Sequence, residues 1–214
     1  MTHTQVFTDI YKREYWGSNS HPLYRGSSGS GSSIDYNGPY ISWLRDFLIT
    51  NQIRSVVDVG CGDFRCGPAI YDGLDINYVG YDVYADLITA NQREFDYRFE
   101  QRDCFVDREL SGDLCILKDV LQHWSTDEIY DFLDSIVGRF RYILICNCSK
   151  QKRNNKTIRT GLHRQLSADF LPLKRYSAKK LFLYDTKEVS VISDHESRPP
   201  IQLALAPIST HTEV

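Results

Sequence analysis

The sequence lacks several features that define common protein classes. It has no uninterrupted apolar run of about 18 residues, so we expect no transmembrane helix. Residues 1–15 also lack the apolar segment of a secretion signal. There is no basic excess either, because 25 Lys and Arg stand against 28 Asp and Glu, and dedicated nucleic-acid binders are usually basic. We therefore expect a cytoplasmic protein with no membrane insertion and no nucleic-acid partner.

Zinc-binding patterns are missing as well. The six cysteines form no Cys-x-x-Cys pair, and no two histidines have the spacing of zinc ligands. Most of the cysteines lie in or beside predicted strands, which is typical of reduced thiols in a protein core. They are Cys61, Cys66, Cys104, Cys115, Cys146 and Cys148. The sequence therefore predicts no metal site.

The composition is that of one globular domain. The 214 residues are 42% hydrophobic and 25% charged, close to the averages for folded proteins. Aromatic residues make up 13% of the chain and include 14 Tyr. Such residues commonly pack in cores, and the alternative is a surface that stacks on sugars or other flat polar ligands.

Helix-like and strand-like patterns alternate along most of the chain. They predict helices at residues 38–50, 65–71, 84–95 and 126–137, and strands at residues 55–59, 77–83, 99–102, 114–117 and 141–147. Alternation with short links indicates βαβ units and a mostly parallel sheet with both faces covered. Two further runs, 180–184 and 188–192, predict a C-terminal antiparallel hairpin. The expected fold is a single α/β domain, Rossmann-like and doubly wound.

The N-terminal region differs from this domain in its amino-acid composition. Residues 4–15 predict a short amphipathic helix, and residues 17–33 are rich in Gly and Ser. The Gly/Ser-rich stretch is either a flexible linker or a flap. We divide the chain into residues 1–37 (helix and flap), residues 38–192 (the α/β domain) and a tail, residues 193–214, without a clear pattern.

The strongest motif follows the first strand, as Asp58-x-Gly60-x-Gly62. Glycines at a strand end let the backbone turn tightly and approach a ligand, and parallel sheets bind ligands at that edge. A dinucleotide fingerprint would need a third glycine where Arg65 stands. Asp58 and Asp63 would repel a pyrophosphate, whereas they suit a cationic ligand such as the methionine end of S-adenosylmethionine (SAM).

Three later segments complete the pattern. Asp82 ends the second strand 20 residues after Gly62, where a carboxylate can accept hydrogen bonds from ribose hydroxyls. Asp103 follows the third strand and is a candidate for contact with the adenine amino group. The segment 118–124, Lys-Asp-Val-Leu-Gln-His-Trp, follows the fourth strand and would form one wall of the cleft beside the transferable methyl.

Together these residues resemble the class I SAM-dependent methyltransferases over about residues 38–147. More narrowly, segments 28–32, 58–63 and 118–124 resemble small methyltransferases of bacterial glycan clusters and large algal viruses. Among them are chlorella-virus enzymes that O-methylate sugars, including rhamnose, of the capsid glycan. The resemblance implies SAM as cofactor, a carbohydrate acceptor and, for a viral chain, the host cytoplasm.

The resemblance also assigns the cofactor site. It implies that the Ser28–Ser32 loop folds over SAM and helps to hold its carboxylate, with Arg25 as an ion-pair partner; this favours the flap. The expected cofactor-binding residues are Arg25, Ser28, Gly29, Ser32, Asp58, Gly60, Cys61, Gly62, Asp82, Val83, Asp103 and Cys104.

A sugar hydroxyl needs a general base, and His123 is the candidate because free histidine titrates near pH 6.5, at roughly neutral pH. The alternative is a residue that packs at a helix start beside Trp124. Asp119 would orient His123 or take the proton itself, and Lys118 could act only with a strongly lowered pKa. A metal-assisted mechanism would need several oxygen ligands. Asp119 supplies one and Asp127 is the next acid along, but no second partner is clear, so we favour no metal.

Residues 150–180 carry ten Lys or Arg against one acid, Asp169. This segment is either a solvated face or a wall of the substrate site. The substrate-binding candidates are Trp124, His163, Arg164 and Tyr176. An RNA acceptor would also suit the basic segment, but the acidic balance of the chain opposes it, as does the absence of an Asn/Asp-Pro-Pro-Tyr/Phe segment.

The leading hypothesis is a glycan O-methyltransferase. The alternatives are a methyltransferase that acts on another small molecule, a lipid or a protein, and a SAM-binding protein without turnover.

Overall fold

The computed structural model describes residues 1–149 and 156–193. In these residues the strands are β1 (Ser55–Val59), β2 (Asn77–Asp82), β3 (Arg98–Gln101), β4 (Gly112–Lys118), β5 (Phe140–Cys148), β6 (Lys179–Tyr184) and β7 (Lys187–Ser193). They form one sheet in the order β3-β2-β1-β4-β5-β7-β6. Strands β1 to β5 are parallel, and β7 is antiparallel to both β5 and β6. The predicted fold class is confirmed.

The helices are α1 (His3–Lys12), α2 (Ile34–Thr50), α3 (Gly67–Tyr71), α4 (Ala85–Glu94) and α5 (Thr126–Ile136). Buried residues of α2 and α3 pack on one face of the sheet with Leu114 and Leu144. Buried residues of α5 pack on the other face with Leu117 and Ile145. The strands β4 and β5 are therefore apolar on both faces, as expected for central strands of a doubly wound sheet.

Helix α2 begins earlier than the sequence predicts. The expected start was Gly38, with Pro39 in the first turn, but the helix begins at Ile34 and Pro39 lies inside it. The Ser33 side chain accepts a hydrogen bond from the Tyr36 N–H at 3.4 Å and caps this earlier turn. The cap joins α2 directly to the Gly/Ser-rich stretch that precedes it.

Helix α5 begins where a capping box is expected. The Ser125 side chain accepts from the Glu128 N–H, and the Glu128 carboxylate accepts from the Ser125 N–H. This box ends the loop that follows β4, so the position of residues 119–124 is fixed at both ends.

The C-terminal hairpin brings a lysine to the ligand-binding edge of the sheet. Lys187, at the start of β7, lies opposite Cys148, at the end of β5. Because β7 runs antiparallel to β5, its first residue meets the carboxyl ends of the parallel strands.

The described part of the chain contains no helix that is both long and apolar enough to cross a membrane. Residues 150–155 of the basic segment and residues 194–214 of the tail lie outside the described residues.

Phe132 tests the packing of α5 against the sheet. Its ring is fully buried and meets Trp124 edge-on, with a centroid distance of 5.1 Å. We expect Phe132→Ala to lower the free energy of unfolding by about 3–5 kcal/mol, because it leaves a cavity in the core. Urea unfolding measures the change. Ile49→Ala, at a side chain that is 56% exposed, is the control and should change stability by less than about 0.5 kcal/mol. Similar effects of the two variants would contradict this packing.

Candidate active site

The loop after β1 turns at two glycines. Gly60 and Gly62 have φ values of +72° and +57°, which favour glycine. A Cβ at Gly60 would lie 2.7 Å from a methyl carbon of Val120, so the loop after β4 touches the backbone here. The Gly60 and Cys61 N–H groups donate to the Tyr81 carbonyl at 2.8 and 3.0 Å. The loop is thus fixed against the end of β2.

Asp82 binds this loop from the end of β2. Its Oδ2 accepts from the Gly62 N–H at 3.2 Å, and its Oδ1 accepts from the Tyr84 N–H at 3.1 Å. Burial raises the pKa of Asp82 from 3.8 to about 6, although these hydrogen bonds act in the opposite direction. Asp58 accepts from the Tyr78 hydroxyl at 2.9 Å, and burial raises its pKa to about 6 as well.

Both carboxylates line a cavity of about 400 Å³. This volume is in the usual range for small-molecule sites. The glycine loop and the loop after β4 form its walls. Side chains from the N-terminal region form the roof: His3, Phe7, Tyr11 and Trp16. A cavity with an aromatic roof and buried carboxylates can hold a ligand that is partly apolar and partly cationic.

Residues 28–32 bridge the two loops. The Ser28 Oγ accepts from the Asp63 N–H at 2.9 Å, and the Ser32 hydroxyl donates to the Asp63 carboxylate at 3.3 Å. On the other side, the Lys118 ammonium donates to the Gly31 carbonyl at 2.8 Å. The geometry favours a flap over a flexible linker. Its contact with a cofactor stays a prediction.

On the side of the cavity expected to hold the adenine, Asp103 makes contacts within the protein. Its Oδ2 accepts from the Thr4 hydroxyl at 2.8 Å, and its Oδ1 accepts from the Phe105 N–H at 3.2 Å. The carboxylate therefore contacts α1, and it also lines the cavity, so its contact with an adenine amino group stays a prediction. Val83 and Cys104 line the cavity as expected, and His3 stacks on Phe105 with ring centroids 4.3 Å apart.

Asp119 lies between two lysines. Its Oδ2 accepts from the Lys118 ammonium at 2.8 Å, and its Oδ1 accepts from the Lys187 ammonium and from the Gln122 amide at 3.0 Å. Burial alone would raise the pKa of Asp119, but the two ammonium groups hold it below its ordinary value. Burial alone would lower the pKa of Lys118, but Asp119 holds it above its ordinary value. Lys118 is thus protonated, which opposes its expected role as a base.

His123 is buried and neutral. Its Nδ1 lies 3.1 Å from the Leu162 carbonyl, so the proton is on Nδ1 and the acceptor lone pair is on Nε2. Nε2 lies 3.4 Å from the Gln122 amide nitrogen. Burial lowers the pKa of His123 to about 4, instead of the expected value near neutrality. The imidazole can accept a proton at pH 7, but it is a weaker base than the sequence analysis assumes.

The predicted substrate residues divide into two groups. His163 lines the cavity, with its ring centroid 5.6 Å from that of His123. Trp124 also lines it, but is buried against Phe132. Arg164 and Tyr176 do not line it, which corrects the prediction.

The reason is that both side chains bind α5 and the segment before it. Arg164 donates to the Trp124 carbonyl at 2.8 Å and the Thr126 hydroxyl at 2.9 Å, and Tyr176 donates to Asp134 at 2.7 Å. Arg25, expected to pair with the SAM carboxylate, does not line the cavity either. Its side chain is 72% exposed and pairs with Glu14 at 3.4 Å.

Several cavity residues were not predicted from the sequence: His3, Phe7, Tyr11, Trp16, Tyr40 and Lys187. Lys187 is one of many lysines in a basic region, and only the pairing register of β7 shows that it reaches the cavity. Residues 4–15 were predicted as a helix, but their contact with a distant loop has no local sequence signal. In residues 1–149 and 156–193, no three His, Cys, Asp or Glu side chains form a group that could hold a metal ion.

No protein-family model matches this sequence, and no curated protein matches it. Among solved structures, human N-acetylserotonin methyltransferase in complex with SAM has a TM-score of 0.63 and 15% identity, over 90% of this chain and 60% of that one. WbdD has a TM-score of 0.61 and 16% identity, over 94% and 48%. The magnesium protoporphyrin IX methyltransferase of Synechocystis PCC 6803 with bound SAH has a TM-score of 0.59 and 12% identity, over 89% and 98%.

This chain thus spans about half to three fifths of the length of the first two proteins and nearly all of the third. At such low identities the likeness establishes the fold, which is that of SAM-dependent methyltransferases.

The buried Asp82 should make the stability of the ligand-free protein depend on pH. Its pKa of about 6 exceeds the ordinary value of 3.8, so the folded state binds more protons between these values. The contribution of this group to stability therefore falls as pH rises from about 4 to 6. We expect Asp82→Asn to be more stable than the parent protein above about pH 6, and the difference to vanish near about pH 4.

Thermal unfolding over this pH range measures the difference. Asp75→Asn is the control, because the Asp75 side chain is 96% exposed. If Asp82→Asn were destabilising by the same amount at every pH, the inferred burial cost of the Asp82 charge would be wrong.

Proposed function

We propose that this protein is a SAM-dependent O-methyltransferase that transfers a methyl group to a sugar hydroxyl of a glycan. The observation that carries the proposal is the pairing of Asp82 with the glycine loop at the edge of the sheet. A carboxylate at the end of β2 can accept hydrogen bonds from the ribose hydroxyls of SAM. The adenine and the sulfonium would then extend to either side of the ribose, beside the glycine turn.

The described residues fit SAM in size and chemistry. The cavity of about 400 Å³ holds carboxylates where a sulfonium and an amino group need negative charge. The Tyr40 side chain is 1% exposed and lines this cavity. Its hydroxyl has no hydrogen-bond partner among the described residues. A buried unpaired hydroxyl is costly, so it leaves a polar atom for a ligand to satisfy.

In the proposed complex, Asp82 accepts from the ribose hydroxyls, and the backbone of Gly60, Cys61 and Gly62 contacts the methionine end. Asp58 favours the cationic groups, Val83 and Cys104 contact the adenine, and Ser28, Gly29 and Ser32 hold the carboxylate.

SAM supplies an activated methyl group, so the protein has to align the acceptor, exclude water and take a proton. Alignment alone can contribute ~7–11 kcal/mol in favourable systems. The aromatic roof excludes water, and His123 Nε2 faces the acceptor side as the proton acceptor. Asp119 orients Gln122 beside it and, held as a carboxylate by two lysines, does not take the proton itself. His163 and Trp124 are proposed to contact the acceptor.

The sugar acceptor rests on the likeness of segments 28–32, 58–63 and 118–124 to glycan methyltransferases. Rhamnose is the specific candidate. The alternatives are another small molecule, a lipid or a protein as acceptor, or SAM binding without turnover. Release of SAH from SAM distinguishes enzymes from a non-catalytic binder. An acceptor panel of rhamnosides and other glycosides beside phenols and catechols distinguishes the acceptor classes; methylation of phenols alone would contradict a glycan acceptor.

Calorimetric titration with SAM and with NAD tests the cofactor site. We expect the protein to bind SAM and not NAD. Asp82→Ala should weaken SAM binding at least roughly ten-fold, because hydrogen bonds to a charged group contribute about 1.5–3 kcal/mol each. Asp86→Ala, an exposed acid in the first turn of α4, is the control and should bind SAM normally. SAM binding that is indifferent to Asp82 would mean that the site has been misassigned.

His123→Ala should separate turnover from cofactor binding. We expect kcat to fall by roughly 10²–10⁴-fold, the usual contribution of a general base, with the Kd for SAM nearly unchanged. Initial rates and calorimetry measure the two quantities. His21→Ala, at a partly buried histidine that pairs with Glu94 outside the cavity, is the matched control. Equal losses of turnover and SAM affinity would show that His123 supports the fold of the site and does not take the proton.

A further inference from the structure

In the proposed reaction, His123 alone gives only weak assistance to the removal of the proton from the acceptor hydroxyl. An alkyl hydroxyl loses its proton reluctantly, and burial makes His123 a weak base, with a pKa of about 4. A positive hydrogen-bond donor beside the reacting oxygen would lower this barrier, because it stabilises the negative charge that develops there. The cavity contains such a group outside the residues assigned so far.

Lys187 brings an ammonium to the acceptor side of the cavity. Its side chain is 5% exposed and lines the cavity. Its charge acts to lower the pKa of both His123 and His163, which line the same cavity. Among residues 1–149 and 156–193, its hydrogen-bond partner is Asp119. An ammonium has three N–H donors, so others are left for a ligand.

Lys187 and His123 also belong to one hydrogen-bonded array. Asp119 Oδ1 accepts from Lys187 and, at 3.0 Å, from Gln122, whose amide nitrogen lies 3.4 Å from His123 Nε2. The array links the ammonium to the imidazole through Asp119 and Gln122, and both side chains line the same cavity.

The charge of Asp119 is already balanced by one lysine, so it does not explain why a second lysine is buried beside it. Lys118 already pairs with Asp119 at 2.8 Å and directs a further donor to the Gly31 carbonyl of the flap. Burying another ammonium is costly unless its donors are used. Lys118 therefore serves the flap and Asp119, whereas Lys187 is available to the acceptor.

We propose that Lys187 is a catalytic residue whose ammonium donates a hydrogen bond to the acceptor hydroxyl oxygen and stabilises the negative charge that forms on it. The inference rests on the proposed O-methyltransferase function. The acceptor oxygen bonds to the methyl carbon as the carbon–sulfur bond breaks and its electron pair goes to sulfur. The hydroxyl proton goes to the lone pair of His123 Nε2, where it replaces the Gln122 N–H that lies 3.4 Å away, and Lys187 keeps its own protons.

The test measures kcat/KM for a series of acceptors whose hydroxyl groups become steadily more acidic, from alkyl alcohols and glycosides to nitrophenols. Lys187→Met should lose roughly 10²–10³-fold with alkyl acceptors, as for the loss of an oxyanion donor. The loss should shrink as the acceptor becomes more acidic, because an acidic hydroxyl needs less stabilisation. The Kd for SAM should stay nearly unchanged. Lys179→Met, at an exposed position of β6, is the control and should keep normal rates.

Lys187→Gln keeps a donor of similar length without the charge and serves if Lys187→Met does not fold. Thermal unfolding and SAM binding verify the fold of each variant. A loss that is the same for all acceptors, or no loss, would overturn the role of Lys187 and leave the proposed function intact. A parent protein that binds SAM but methylates no hydroxyl acceptor would overturn both.

Discussion

The carboxylate of Asp82 connects the ends of β1 and β2, the two strands on which the site depends. Asp82 accepts hydrogen bonds from the Gly62 and Tyr84 N–H groups, so it connects the loop after β1 to the start of α4. The Asn91 amide donates to the Gly62 carbonyl at 2.7 Å and holds the same loop from α4. The turn is therefore held in shape by hydrogen bonds within the protein. The cost is a buried negative charge, visible in the raised pKa of Asp82.

The cavity is lined by charges of both signs. Asp58, Asp63 and Asp82 are the carboxylates expected to face the cationic cofactor, and Lys118 and Lys187 enclose Asp119, which is expected to face the acceptor. The flap contacts both sides, through Asp63 and through Lys118. This arrangement suits a reaction in which a positive methyl donor meets an oxygen that becomes negative, because each partner lies beside the opposite charge.

The parts of this site that follow from local sequence were predictable, and those that need distant contacts were not. The glycine loop and Asp82 have a local signature, because tight turns at the ends of buried strands require particular residues. The contact of Asp103 with α1, almost 100 residues earlier, has no local sequence signal. The basicity of His123 depends on burial by several segments, and Lys187 depends on the register of β7. The sequence analysis also placed the start of α2 one turn late. It took Pro39 as a residue of the first turn, whereas the Ser33 side chain caps an earlier turn.

Hydrogen–deuterium exchange with and without SAH tests most directly the claim that this edge of the sheet is the cofactor site. The account predicts that SAH slows exchange in residues 28–32, 58–63 and 82–84 and in the loop at residues 103–105, with little change in α5 or in the β6–β7 hairpin. Slower exchange confined to the basic residues 156–164, or no change at all at saturating SAH, would contradict it.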